Sequence, residues 1–249
     1  MNRALRATAT ATAAYMPVAL ATMCLLTAGA EPAAAGQRAI RVQATQELAV
    51  LLTAHHPHRA PDVSSPRMAL VAARRPITGQ PTTLPVLSRS IGPHRMRWLL
   101  VMLPGRPNGS TGWIAEQDTR PLLTRWRISV DLDTRGVTVY RDGRVARAFL
   151  AVIGKPSTPT PSGRFFVEES VRMPLGQPGG PYALALSARS NVLQEFEGGP
   201  GQVAIHGSVG LAAPLGTAAS FGCIRLANAS IDWLSRRIPP GTPVTISRS

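Results

Sequence analysis

The chain is poor in cysteine, in lysine and in aromatic residues. Of its two cysteines, Cys24 and Cys223, the first falls in an apolar N-terminal segment expected to be cut off. Cys223 is then the one thiol of the mature protein, with no second cysteine available for a disulfide. In an exported chain that makes it a candidate reactive thiol. Aromatics are 5% of residues, so the core must rest on Val, Leu, Ile and Ala. Lys155 is the only lysine, and the net charge of +14 is almost all arginine. So complete a bias points first to a GC-rich genome. The arginines are scattered, with no dense basic run and no nucleic-acid module, which argues against a nucleic-acid partner. The charge suits an anionic surface, such as cell-wall polymer or membrane. A hydrophobic content of 44% excludes a mainly disordered chain. The 23 prolines and 22 glycines favour strands and loops over long helices.

Residues 1–35 read as a secretory signal. Arg3 and Arg6 give a positive start, Ala13 to Ala30 an apolar run, and Ala28–Ala30 or Ala33–Ala35 an A-x-A cleavage site. The segment is expected to be cleaved or to act as a loose anchor, the only expected contact with membrane. Met23 is too bulky for a lipoprotein signal at Cys24. These features place the protein outside the cytoplasm, in the cell wall or a periplasm-like space.

Residues 36–67 are rich in Ala, His and Pro and predict a linker or mobile arm, with His55, His56 and His58 in a solvated loop rather than at a metal. Residues 68–118 alternate short apolar runs (MALVAA, TTLPVL, RWLLVMLP) with Gly/Pro turns, the pattern of a small β-barrel-like module. Its GSTGWI close resembles the end of bacterial SH3-like modules, and Trp113 is expected in its core. From Arg127 the alternation is regular. RISVDL places Ile128, Val130 and Leu132 on one face, DTRG and Asp142-Gly143 are hairpin turns, and RVARAFLAVIG reads as one long strand. RFFVEES, YALALSA, GQVAIHG and TPVTIS complete a mainly β, sandwich-type domain. One helix, ASIDWLSRRI, is expected after Asn228 as N-cap. Its apolar stripe is Ile231, Leu234 and Ile238.

The chemistry concentrates in IHGS and SFGCIRLAN, where Cys223 follows His206 by 17 residues (223 − 206). A thiol attacks a carbonyl as thiolate, and an ordinary cysteine is only a few per cent ionised at neutral pH. His206, ending an apolar strand, is the candidate base. A backbone carbonyl of the Gly207-Ser208 turn is a candidate to orient it. Gly222 permits a sharp turn and close approach of a substrate, and the amides of Gly222 and Cys223 are candidate oxyanion donors.

Taken together, IHG…SFGCIRLAN resembles the signature of L,D-transpeptidases, the cysteine enzymes of peptidoglycan cross-linking. The matching residues are His206, Gly207, Ser220, Gly222, Cys223, Arg225 and Asn228. TPTPSGRF, Thr158 to Phe165, resembles a second family loop. The resemblance covers residues 125–248, with one departure: Phe221 stands where many members carry histidine. It implies a Cys223 acyl-enzyme with His206 as general acid and base, acting on peptidoglycan stem peptides to form 3→3 cross-links. Ser220 and Ser208 would support the loop and the oxyanion. Arg225 would bind a substrate carboxylate or serve as a structural hydrogen-bonding arginine beside the loop, Asn228 would contact substrate or act as the helix cap, and Tyr182 with the Gly/Pro-rich segment 174–181 would border the substrate groove as a lid. The chemistry requires no metal and no organic cofactor. The same residues would serve an L,D-carboxypeptidase or endopeptidase. A non-catalytic wall-binding protein would have no need to keep His206, Gly222 and Cys223 together. A sortase-like pattern needs a wider His–Cys spacing, and a papain-type peptidase places its cysteine first.

Overall fold

The computed structural model describes residues 42–196 and 198–249. The signal-like segment 1–35 and Cys24 lie outside them. The protein is mainly β, with fifteen strands and one α-helix among the described residues.

The first sheet has five strands: β1 (Gln46–Leu51), β2 (Thr83–Ile91), β3 (Arg97–Met102), β4 (Thr111–Ala115) and β5 (Thr119–Thr124). Their order is β4-β3-β2-β1-β5, with every neighbour antiparallel. The expected linker is corrected here, because residues 46–51 form β1, paired on both sides. All of QELAVL except Glu47 is buried. A strand covered on both faces shows no alternation, so its sequence carries no period to read. The histidines follow it into the fold. His58 is buried, with Nδ1 2.8 Å from the Ser65 carbonyl and its ring edge-on to Trp98. His55 pairs with Val71, the only bridge made by the MALVAA run, which forms no strand. Trp98 is the tryptophan of this core, whereas Trp113 is half-buried.

The second sheet has the order β14-β12-β11-β10-β15-β6-β7-β8. Its members are β6 (Trp126–Asp131), β7 (Gly136–Arg141), β8 (Arg144–Leu150), β10 (Gly163–Arg172), β11 (Tyr182–Arg189), β12 (Gln202–His206), β14 (Ile224–Arg225) and β15 (Pro243–Ser247). Pairing is parallel at β12–β14 and β15–β6, and antiparallel elsewhere. Ile128, Val130 and Leu132 are buried, and Asp142 and Gly143 take the positive φ of a tight hairpin. The expected long strand RVARAFLAVIG divides. β8 is an exposed edge strand carrying Arg144 and Arg147, which discourage further pairing. The chain then leaves the sheet, and β9 (Ile153–Gly154) pairs with β13 (Ala218–Ser220).

Helix α1 (Asn228–Ser235) packs against β11 and β12, with Ile231, Leu234 and the following Ile238 buried. Asn228 is its first residue rather than its N-cap. The cap position is Ala227, with no side-chain cap bond.

Strand β10 belongs to both cores. Phe165 packs into the core of the second sheet and Phe166 into that of the first. Beyond the bulge after Val167, Glu168 and Glu169 are both buried. Arg75, from the first module, pairs with Glu168, which also accepts from Arg189 Nη2 at 3.1 Å. Thr78 donates its amide and hydroxyl to Glu169 Oε2 at 3.0 and 2.7 Å. Burial pushes the Arg189 guanidinium down to about 10, and the nearby Arg106 charge adds to the effect. Removing one partner from such a buried cluster strands a charge. Arg75→Met is therefore expected to destabilise the protein by about 3–5 kcal/mol in urea denaturation, whereas Arg144→Met on the exposed edge should be near neutral.

Candidate active site

Strand pairing closes the 17-residue separation of His206 and Cys223 (223 − 206). In the β12–β14 pair, Ile205 faces Ile224 and His206 faces Arg225. Cys223, in the turn that leads into β14, thus stands one position before the paired isoleucines, and His206, at the end of β12, one position after. The pairing is reinforced by Leu226 N donating to His206 O at 2.8 Å. On the other side, Val152 and Arg225 exchange backbone bonds of 2.9 and 2.8 Å.

The turn before Cys223 is held from within and from below. The Ser220 hydroxyl, fully buried, donates to the Cys223 carbonyl and accepts from the Gly222 amide at 3.1 Å. Ser220 O accepts from Lys155 N at 3.0 Å and from Thr158 Oγ1 at 3.2 Å. Gly222 O accepts from Thr160 Oγ1 at 2.9 Å, and that oxygen in turn accepts from Gly154 N at 2.9 Å. Gly222 has φ +116, a conformation that side chains rarely adopt. In this structure the Gly222 amide donates to Ser220 Oγ, so that amide is engaged within the turn. Thr158 and Thr160 are support residues whose individual roles the sequence did not disclose. The repeated Thr-Pro was the only signal.

His206 is oriented by carbonyls. Its Nδ1 lies 2.8 Å from Gly207 O. A carbonyl only accepts, so Nδ1 carries the proton and Nε2 keeps a lone pair. Burial lowers the pKa of His206. The Arg225 charge lowers it further, and backbone hydrogen bonding at Gly207 and Gly179 opposes the shift. The net shift favours the neutral imidazole. Gly207 is fixed as glycine by crowding, since a Cβ there would meet Gly180 O at 1.9 Å. At Gly179 (φ +85) a Cβ would meet His206 Nδ1 at 2.9 Å. Ser208 accepts no role in the turn beyond anchoring it: its amide donates to Asn228 Oδ1 and its hydroxyl to Leu226 O, both at 2.8 Å. The Asn228 side chain thus ties the end of β12 to the start of α1.

Segment 174–181 lies against this strand end. Gly207 N donates to Gly179 O, and Gly179 N to Val209 O, each at 2.9 Å. Tyr182, half-buried, lines a cleft of about 470 Å³ with Arg172, Met173, Pro174, Pro181 and Val209. Arg225 is half-buried, with Nε enclosed and no hydrogen-bond partner for it. Phe221 is exposed. Its ring lies 5.8 Å from that of Phe196, and Lys155 Nζ sits 4.3 Å from its centroid. Neither neighbour was singled out from the sequence as a site residue, because both come from loops distant in the chain. No group of three metal-ligating side chains occurs among the described residues.

Strand pairing therefore brings the cysteine turn and a carbonyl-oriented imidazole to nearby positions of one sheet. Comparison with known proteins agrees on the class. Residues 125–246 match the YkuD family model, an L,D-transpeptidase catalytic domain. The chain is 30% identical over 148 residues to the YkuD protein of Bacillus subtilis (strain 168), covering 59% of this chain and 74% of that protein. With the YkuD protein of Bacillus licheniformis it shares 32% over 134 residues, covering 54% and 70%. The chain therefore belongs to the L,D-transpeptidase catalytic-domain family. Among solved structures, an Enterococcus faecium L,D-transpeptidase variant is 27% identical with a TM-score of 0.38, and the match spans 49% of each chain.

The buried His206 gives a pH dependence of definite sign. Its folded-state pKa lies below the ordinary 6.5, so the unfolded chain binds the extra proton first as pH falls. The residue's contribution to stability is present above about 6.5 and is lost on acidification below it. Imidazole titration by NMR should place the His206 midpoint below 6.5. Between about pH 6.5 and 5 the wild type should lose stability more steeply than His206→Gln.

Proposed function

We propose that the protein is an exported L,D-transpeptidase that forms 3→3 cross-links between peptidoglycan stem peptides. The observation that carries this reading is the His206 imidazole: its Nδ1 is held by Gly207 O, which leaves Nε2 as the basic nitrogen beside the Cys223 turn. The signal-like residues 1–35 support export to the cell wall. The net charge of +14 suits retention on anionic wall polymer.

In the first step His206 Nε2 takes the thiol proton of Cys223. The thiolate attacks the carbonyl of the bond between the L-centre of diaminopimelate and the terminal D-alanine. The tetrahedral intermediate collapses with cleavage of the C–N bond. His206 returns the proton to the departing amine, leaving a thioester on Cys223. In the second step an amine from a neighbouring stem attacks the thioester carbonyl. His206 removes a proton from the attacking nitrogen, the C–S bond breaks, and the thiolate regains its proton. One imidazole serves both directions by microscopic reversibility. Arg225 would hold a substrate carboxylate through its guanidinium, and Tyr182 with segment 174–181 would border the stem peptide.

Mass spectrometry of the purified protein with disaccharide-tetrapeptide tests the reading. Wild type is expected to release D-alanine and produce a 3→3 dimer. Cys223→Ala should lose both by a factor on the order of 10³ or more, and His206→Ala by roughly 10² or more. Release without dimer would make water the acceptor and the enzyme an L,D-carboxypeptidase. Full activity in Cys223→Ala would overturn the mechanism.

A further inference from the structure

The β3–β4 loop of the first module reaches across to the second sheet. There Arg106 gathers three carbonyls of a single loop. Nη1 donates to Pro200 O at 2.8 Å, and Nη2 to Ser190 O at 2.7 Å and Leu193 O at 3.1 Å. Two residues on, Asn108 pairs with the backbone of Arg189 in both directions, at 2.7 and 2.8 Å, and reaches Asn191 Oδ1 at 3.1 Å. The clasped loop connects β11 to β12. It is drawn tight at its base, where Ser190 N donates to Gly201 O at 2.8 Å and a Cβ on Gly201 would meet Leu193 O at 2.0 Å. Phe196, within this loop, lies with its ring 5.8 Å from Phe221, two residues before Cys223.

A guanidinium bonded to three carbonyls gains no charge neutralisation from them. What it supplies is geometry, since its planar fork fixes three acceptors relative to one another. We propose that Arg106, which lies outside the family-matched segment, is a positioning residue for the transpeptidase reaction: it sets the β11–β12 loop so that Phe196 and Phe221 form one wall of the approach to Cys223. The proposal rests on the transpeptidase reading and adds that the first module builds part of the substrate site. Because the loop acts on approach rather than on the thiol, its loss should affect a large substrate and spare a small one.

Arg106→Ala, Arg106→Lys, Phe196→Ala and the Arg106→Ala/Phe196→Ala double variant are compared in the full protein. Arg106→Ala is expected to lower kcat/KM for disaccharide-tetrapeptide about tenfold, mainly through KM. Alkylation of Cys223 by iodoacetamide should stay within twofold of wild type. Phe196→Ala should reproduce that loss, the double variant should be no worse than either single, and Arg106→Lys should recover part of it. Unchanged kcat/KM in Arg106→Ala, or losses that multiply in the double variant, would overturn the proposal. So would a parallel fall in alkylation. If wild type turns over no stem peptide, the transpeptidase reading fails, and the clasp is judged by amide hydrogen exchange. Faster exchange across residues 190–201 in Arg106→Ala then supports it, and unchanged exchange refutes it.

Discussion

Successive side chains of a strand point to opposite faces, and in β10 that geometry joins two cores. Phe165 fills the core of the second sheet while Phe166 fills that of the first. Two acidic residues further along the same strand are satisfied partly by Arg75 and Thr78 of the first module and partly by Arg189 of the second. The two sheets are therefore not beads on a string. Removing the first would bare a phenylalanine and two carboxylates that have no other means of burial. The clasp of Arg106 and Asn108 extends the same junction toward the cysteine turn.

The candidate site is held by hydrogen bonds in which a backbone group is always one partner. Carbonyls orient His206, and hydroxyls of Ser220, Thr158 and Thr160 hold the cysteine turn. Among the described residues no carboxylate hydrogen-bonds His206. In a chain this rich in arginine, a neutral imidazole is the natural outcome: burial removes the stabilisation of a second charge, and Arg225 repels it. A neutral imidazole keeps the lone pair that a general base needs.

Much of the second sheet could be read from the sequence because its strands have one wet and one dry face. RISVDL and VTVYRD alternate, and their turns carry residues able to take positive φ. IHGS and SFGCIRLAN stood out in the sequence by their residue types, and the parallel β12–β14 pair is what brings the two distant motifs side by side. β1 was hidden, since a strand buried on both faces reads only as an apolar stretch beside an Ala- and His-rich one. Asn228 carries the residue type of a cap, yet its amide oxygen is used on Ser208. Only the three-dimensional neighbours could show that. The partner of the Gly222 amide was hidden too, because that hydroxyl sits two residues away in a turn whose shape the sequence does not encode by period.

The chain's single lysine lies over the ring of Phe221, its own amide bonded to the Ser220 carbonyl. Side-chain amines are the usual target of conjugation reagents, and most proteins offer too many for one product. Here an amine-directed label can mark one side chain only, and that side chain rests on the turn carrying Cys223. With the α-amine blocked, the scarcity of lysine confines such a label to the place where an optical or spin reporter would be most informative.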